Sequence, residues 1–206
     1  MTEKFIMTQA YRFCLNTEAA VPAALPGQFV AEIAGLIKVS KPVDSDEAYT
    51  NFLAGVTGVV KTYASQLTAE TPIFQSRLPR IGRHEQTIPT GWGGVFFREA
   101  SESRNLVEKF LIVKQAVDPS GVLGFEYHKK KVEKLRVEEG YTLLMQAGSA
   151  GTVTLTFAGP GDSCKLEPPT AHGIIPLTNT AILETSNYEL DADDLLFIFK
   201  PVKLQS

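Results

Sequence analysis

Cysteine is scarce in this chain. Two are present in 206 residues, Cys14 and Cys164, and they stand far apart. They form neither a CxxC pair nor a disulfide framework, so a reduced, cytoplasmic setting is expected. Long apolar runs are absent too. No stretch approaches the roughly 18 apolar residues of a membrane-spanning helix. The segment MTEKFIMTQAYRFCLN lacks the apolar run of a secretory leader. Neither sign of charge dominates: 20 Lys and Arg face 23 Asp and Glu, a net charge of −3. That balance gives no electrostatic reason to expect nucleic acid or an anionic membrane as partner. GxGxxG and P-loop patterns are missing, which argues against nucleotide-binding folds. No internal repeat and no low-complexity tract interrupts the chain.

What is present suits a globular protein. The hydrophobic share is 44% and the charged share 21%, both ordinary, and the length suffices to bury a core without staples. The first 70 residues read as helical. Phe29, Ile33, Leu36 and Ile37 recur on one helix face, opened by Pro26 and Gly27 and closed by Pro42. A second helix is expected from Asp44, with Asp44 and Glu47 at capping-box spacing. Its apolar face is Tyr49, Phe52, Leu53, Val56, Val60, Tyr63 and Leu67. Gly55 and Gly58 weaken it by roughly 1 kcal/mol each relative to Ala, and close packing of another element would account for them. Residues 71–91, with Pro72, Pro79, Gly82, Pro89 and Gly91, read as linker or irregular loop. Arg77, Arg80 and Arg83 recur there at every third position, either as a solvated basic loop or as a lid or anion anchor for a phosphorylated ligand.

After Gly91 the pattern changes. Short runs rich in Val, Ile, Thr and Phe are separated by Gly, Pro, Asp and Ser every 8 to 12 residues. Strands are expected at 94–98, 108–115, 123–128, 141–146, 152–157, 163–166, 173–177, 181–185 and 195–199. Such spacing predicts an all-β sandwich or barrel.

Three histidines are present, His84, His128 and His172. His84 sits in the Pro/Arg loop, where a structural role is the simpler reading. His128 lies in Gly124-Phe-Glu-Tyr-His128-Lys-Lys-Lys-Val-Glu133. On a strand, alternate side chains share a face, so Glu126, His128 and Lys130 are expected to point the same way. If that strand lines a barrel, Glu126 and His128 can reach one divalent ion. Glu133 can join after a bend, and His172 can come from a distant strand. Mixed nitrogen and oxygen ligands suit Zn, Mn, Fe, Co or Ni. A solvated role for the run Lys129-Lys130-Lys131 and ordinary hydrogen-bonded roles for the histidines stand beside this reading.

The segment resembles the first motif of the sugar-isomerase branch of the cupin superfamily, which includes phosphomannose isomerases and D-lyxose-type isomerases. Glu126-x-His128, Lys130, Glu133 and Gly140 match it, with Glu126 where Gln or His is usual. The strand Val107–Val113, Thr90-Gly-Trp92-Gly93 and the stretch from Ala181 through Glu184 to Leu195 are similar to that branch as well. The second motif matches only at His172, because Glu167-Pro-Pro-Thr-Ala-His172 replaces Pro-x-Gly-x-x-His. The resemblance implies a mainly β fold: a cupin-type double-stranded β-helix, or jelly roll, over 88–206, preceded by a helical extension and linker over 1–87. It further implies a divalent metal on Glu126, His128, Glu133 and His172, the two carboxylates favouring Mn or Fe over Zn. An aldose–ketose isomerase acting on a sugar or sugar phosphate would then use Lys130 to bind substrate or to stabilise an enediolate, with Glu184 a candidate base. Pairing of barrels as homodimers is implied too. The alternatives are a metal-dependent dioxygenase or lyase and a non-catalytic sugar-binding module.

Overall fold

Two stretches of helical periodicity and a long series of β-forming runs fold into stacked layers. The computed structural model describes residues 10–148, 151–189, 191–200 and 202. Among these lie twelve strands and three α-helices. The strands are β1 (Arg12–Leu15), β2 (Thr87–Thr90), β3 (Gly93–Ser101), β4 (Leu106–Val113), β5 (Phe125–His128) and β6 (Glu133–Glu139), followed by β7 (Thr142–Ala147), β8 (Thr152–Ala158), β9 (Ser163–Leu166), β10 (His172–Pro176), β11 (Thr180–Ser186) and β12 (Leu195–Phe199). The helices are α1 (Gly27–Val39), α2 (Asp46–Thr62) and α3 (Pro72–Arg77).

Two six-stranded sheets form, in the orders β1-β8-β7-β10-β5-β12 and β2-β3-β4-β11-β6-β9. Within them β4 pairs with β11, β5 with β10, β6 with β9 and β7 with β8, all antiparallel. First pairs with last, and each inner pair nests inside the one before. That is a long ribbon folded over on itself, so the fold is mainly β, a jelly roll of the cupin type. Gly140 makes the tight β6–β7 turn possible. Its φ is +79°, and a Cβ there would stand 2.2 Å from the Asn179 carbonyl oxygen.

The sheet holding β5, β7 and β8 is apolar on its outer face, through Phe125, Leu143, Met145, Val153, Leu155 and Phe157. Helices α1 and α2 cover that face with Phe29, Ile33, Ile37, Tyr49, Leu53 and Val56, in one continuous core with the strands. Fully burying side chains of this size contributes roughly 1.5–3 kcal/mol each. Between the sheets lies a second core of Leu111, Val113, Leu135, Val137, Ile174 and Ile182. A third, of Phe74, Phe96, Phe110 and Ile112, sits under α3 on the outer face of the other sheet.

Several expectations need correction. The first 70 residues are not helical throughout: Arg12–Leu15 form β1, parallel to β8, with the Phe13 ring stacked 4.3 Å from Phe52. Residues 71–91 are not merely a loop, since they contain α3 and β2. The second helix starts at Asp46 with Ser45 as its N-cap, whose side chain accepts from the Ala48 N–H at 3.2 Å. Gly55 does meet a close neighbour, as a Cβ there would lie 2.9 Å from Leu36 Cδ1, whereas Gly58 meets nothing within 4 Å. Strand β6 was not among the expected strands. No helix of the described residues is long and apolar enough to cross a membrane.

Candidate metal centre

Strand alternation sends Phe125 and Tyr127 into the helix-covered core and turns Glu126 and His128 into the space between the sheets. β10 lies beside β5, with His172 directly opposite Glu126. The facing sheet contributes Glu133 from the first position of β6, and Glu184 and Lys109 as cross-strand partners on β11 and β4. These six side chains and Lys131 line a cavity of about 260 Å³, walled further by Trp92, Leu123 and Phe197.

Glu126, His128 and His172 each offer a ligand atom, and the three atoms lie within 4.8 Å of one another. Glu133 bridges the two imidazoles: Oε1 is 3.4 Å from His128 Nε2 and Oε2 is 3.2 Å from His172 Nε2. The structure thus brings together all four residues expected as ligands. Behind them, His128 Nδ1 lies 3.0 Å from Asp194 Oδ2, and His172 Nδ1 lies 3.2 Å from the Thr170 carbonyl oxygen. A carbonyl only accepts, and the Asp194 carboxylate already accepts the Lys130 and Lys131 amides. Each Nδ1 therefore carries hydrogen, and each Nε2 is left to face the Glu133 oxygens. If neutral, two Nε2 lone pairs would oppose the carboxylate lone pairs. A proton on Nε2 or a cation between the groups removes that conflict. With His172 neutral, moreover, the buried Glu133 Oε2 has no hydrogen-bond partner. An orphaned acceptor beside two backed imidazoles fits a divalent ion, and the backing contacts are those that orient metal-binding histidines.

The electrostatics follow from this crowding. Burial works to raise the Glu133 carboxyl, but hydrogen bonds from both histidines and the charge of Lys131 hold it well below the carboxylate range. Burial raises the Glu126 carboxyl above its ordinary value, with His172 opposing. For His172 burial works downward, and the hydrogen bond and charge of Glu133 outweigh it, so its value is raised. Lys131 is likewise raised: Glu184 and Glu133 more than offset its burial.

Lys130 is not in the cavity. Its side chain is 64% exposed and stands 3.9 Å from Glu189, whereas the Lys131 side chain is 10% exposed. Strand β5 ends at His128, so the alternation that would have carried Lys130 inward stops there. Lys131 takes the inward place. Its Nζ lies 2.5 Å from Glu133 Oε1 and 3.3 Å from Glu184 Oε1, and Lys109 Nζ lies 2.9 Å from that same Glu184 oxygen. Glu184 points inward, as its alternation predicted. Lys109, Lys131 and Asp194 were missed. Lys109 was detectable, because inward-facing Leu111 and Val113 fix its phase on β4. His84 lies elsewhere, its ring 5.6 Å from Phe96 and its Nδ1 accepting the Gln86 N–H.

Comparison of the sequence with family models and with curated proteins returns no match. Solved structures give distant likenesses. The capsular polysaccharide assembling protein CapF from Staphylococcus aureus is 16% identical, with a TM-score of 0.47 over 55% of this chain and 32% of its own. This chain thus spans about a third of the CapF chain. KdgF from Halomonas sp. is 14% identical, with a TM-score of 0.42 over 52% of this chain and 90% of its own. Ectoine synthase from P. lautus is 16% identical, with a TM-score of 0.45 over 63% of this chain and 92% of its own.

Proposed function

We propose that the cavity is the active site of a metal-dependent aldose–ketose isomerase acting on a sugar or sugar phosphate, with Glu126, His128, Glu133 and His172 holding one divalent ion. The observation that carries this reading is the meeting of two imidazole Nε2 atoms on one buried carboxylate. A second carboxylate, Glu184, stands beside it between two lysines. The ion supplies polarisation of the sugar carbonyl, and two carboxylates with two imidazoles favour Mn or Fe over Zn. Lys109 and Lys131 both contact Glu184 Oε1, so Oε2 is the oxygen assigned to proton transfer. It takes the proton from the carbon beside the carbonyl and returns it to the former carbonyl carbon, while the proton of the adjacent hydroxyl passes to the former carbonyl oxygen. The Lys131 ammonium faces the same space and balances negative charge growing on the substrate oxygens. Trp92 and Leu123 add apolar wall to the cavity.

A second reading has its own support. Glu126, His128 and His172 alone make a two-histidine, one-carboxylate set, the arrangement used by non-haem ferrous oxygenases. One experiment separates the two. Protein purified without chelators or an affinity tag is assayed for Mn, Fe, Zn, Co and Ni, then tested on a panel of aldoses, ketoses and their phosphates. About one ion per chain, lost in His128→Ala and His172→Ala, together with aldose–ketose interconversion, supports the isomerase. Oxygen consumption by the ferrous protein without interconversion supports the second reading. Failure to take up any of the five ions would overturn both and leave the sugar-binding module.

A further inference from the structure

Behind the metal cavity, on the outer face of the same sheet, three arginines from distant parts of the sequence meet. Arg77 comes from the end of α3, Arg98 from β3 and Arg136 from β6, and they line a pocket of about 300 Å³. Its apolar lining is Ile73, Phe110 and Leu183. Leu183 and Phe110 are outward neighbours of Glu184 and Lys109 in the paired strands β11 and β4, so one thickness of sheet separates this pocket from the cavity. The charges do not cancel. Three guanidiniums line the pocket against one carboxylate, Glu138. Glu138 is spent on Arg136, at 2.6 Å from its Nε and 2.5 Å from its Nη2. Arg98 has a loose ionic partner, Glu108 at 3.6 Å, and lies over the Phe110 ring, 5.4 Å from its centroid. Arg77 is clamped over the Phe96 ring, 4.5 Å from its centroid, and its Nε is buried with no hydrogen-bond partner. The ring beneath it fixes the Arg77 guanidinium in place at the pocket wall.

We infer that this pocket is a second ligand site, for the phosphate group of a phosphate monoester, with the oxyanion among Arg77, Arg98 and Arg136 and the organic part on Phe110 and Leu183. Guanidinium forks match tetrahedral oxyanions bidentately, and three of them around one space favour a dianion over a single carboxylate. The triplet Arg77, Arg80, Arg83 contributes only its first member. Arg80 stacks on Phe96 at 5.0 Å, and neither Arg80 nor Arg83 lines the pocket. The inference does not depend on the isomerase reading.

The test is calorimetric titration of chelator-treated protein with inorganic phosphate and with phenyl phosphate at low ionic strength. Wild type is expected to bind phenyl phosphate saturably at one per chain, and more tightly than inorganic phosphate. Arg77→Lys keeps the charge and lacks the guanidinium fork. It and Arg98→Gln should each weaken binding about tenfold or more. Lys131→Met, whose change lies in the metal cavity, should bind as wild type does. Melting curves establish that each variant is folded. Absence of saturable binding overturns the inference. So does binding that survives both arginine substitutions, or that is lost in Lys131→Met.

Discussion

Lys130 and Lys131 are adjacent and face opposite ways, and the cause is a single carboxylate. Asp194 accepts from the Lys130 amide at 2.8 Å and the Lys131 amide at 3.3 Å while backing His128. Those contacts end the strand and turn the chain, so the inward position falls on Lys131. In the isomerase reading, Lys131→Met should lower kcat by roughly 10²–10³ while Lys130→Met leaves it unchanged. Equal losses in the two variants would sink the assignment. Asp194→Asn should lower metal affinity roughly 10- to 100-fold, measured by competition with a chromogenic chelator. The four residues proposed as ligands were legible as a group: strand alternation put Glu126 and His128 on one face, and the family resemblance added Glu133 and His172, all of which line the cavity. Lys131 was not, because its place depends on Asp194, more than sixty positions along the chain. The Glu133–His172 pair also sets a pH dependence. In metal-free protein His172 lies above its ordinary 6.5, so its stabilising contribution is complete below that pH and fades as pH rises through its folded value. Glu133 lies below 4.5, so its contribution is complete above that pH and fades only in stronger acid. Metal binding needs both groups deprotonated, so its stabilisation grows with pH. The gap in melting temperature between metal-loaded and chelated protein should therefore widen from pH 6 to pH 8. A gap that narrows would contradict the pairing.

At the scale of elements, legibility followed the apolar pattern. Strands β7, β10 and β11 were found because burial on both faces gives dense apolar runs, and β8 because buried Val153, Leu155 and Phe157 alternate with threonines. Strand β6 escaped because Glu133-Lys-Leu-Arg-Val-Glu-Glu139 carries five charged or ionisable side chains in seven residues. Its alternation of Leu135 and Val137 with Lys134 and Arg136 was nevertheless a strand signal. Helix α3 escaped for a different reason: it is one short turn and a half, and it is held from outside. The register between β6 and β11 shifts at Ala181 and Ile182. There the Glu139 carboxylate reaches the first turn of α3, accepting from Ile73 N at 2.7 Å and Phe74 N at 3.0 Å. No local sequence rule reveals a cap supplied by a strand 65 residues away. Glu139→Ala removes it and leaves two amides without acceptors. The expected loss is roughly 1–3 kcal/mol in denaturant unfolding, with faster proteolysis across 72–90. A midpoint equal to wild type would mean that α3 is held by Phe74 and its neighbours alone.

At the scale of the whole molecule, the question is whether the barrel from residue 88 is an independent unit. Its strands pair among themselves, which favours independence. Its outer face argues the other way. Phe125, Leu143, Met145, Val153, Leu155 and Phe157 are each less than 5% exposed, and β1, α1 and α2 contribute to the core that buries them, beside Leu177 and Phe199 of the barrel itself. Removing residues 1–87 would uncover a contiguous apolar surface of a size that isolated domains rarely present, and would strip β8 of its parallel partner β1. It would also uncover Phe125, the residue that directly precedes Glu126 on β5. A fragment of 88–206 is therefore expected to aggregate, or to show secondary structure without the near-ultraviolet signal of fixed aromatic packing. The full chain is expected to unfold in one transition followed alike by aromatic and backbone signals. Phe29→Ala on α1 should lower the stability of the whole by roughly 3–5 kcal/mol and carry the metal site down with it. A monomeric 88–206 fragment that melts cooperatively and takes up metal would show instead that the helices are an addition to a barrel complete without them.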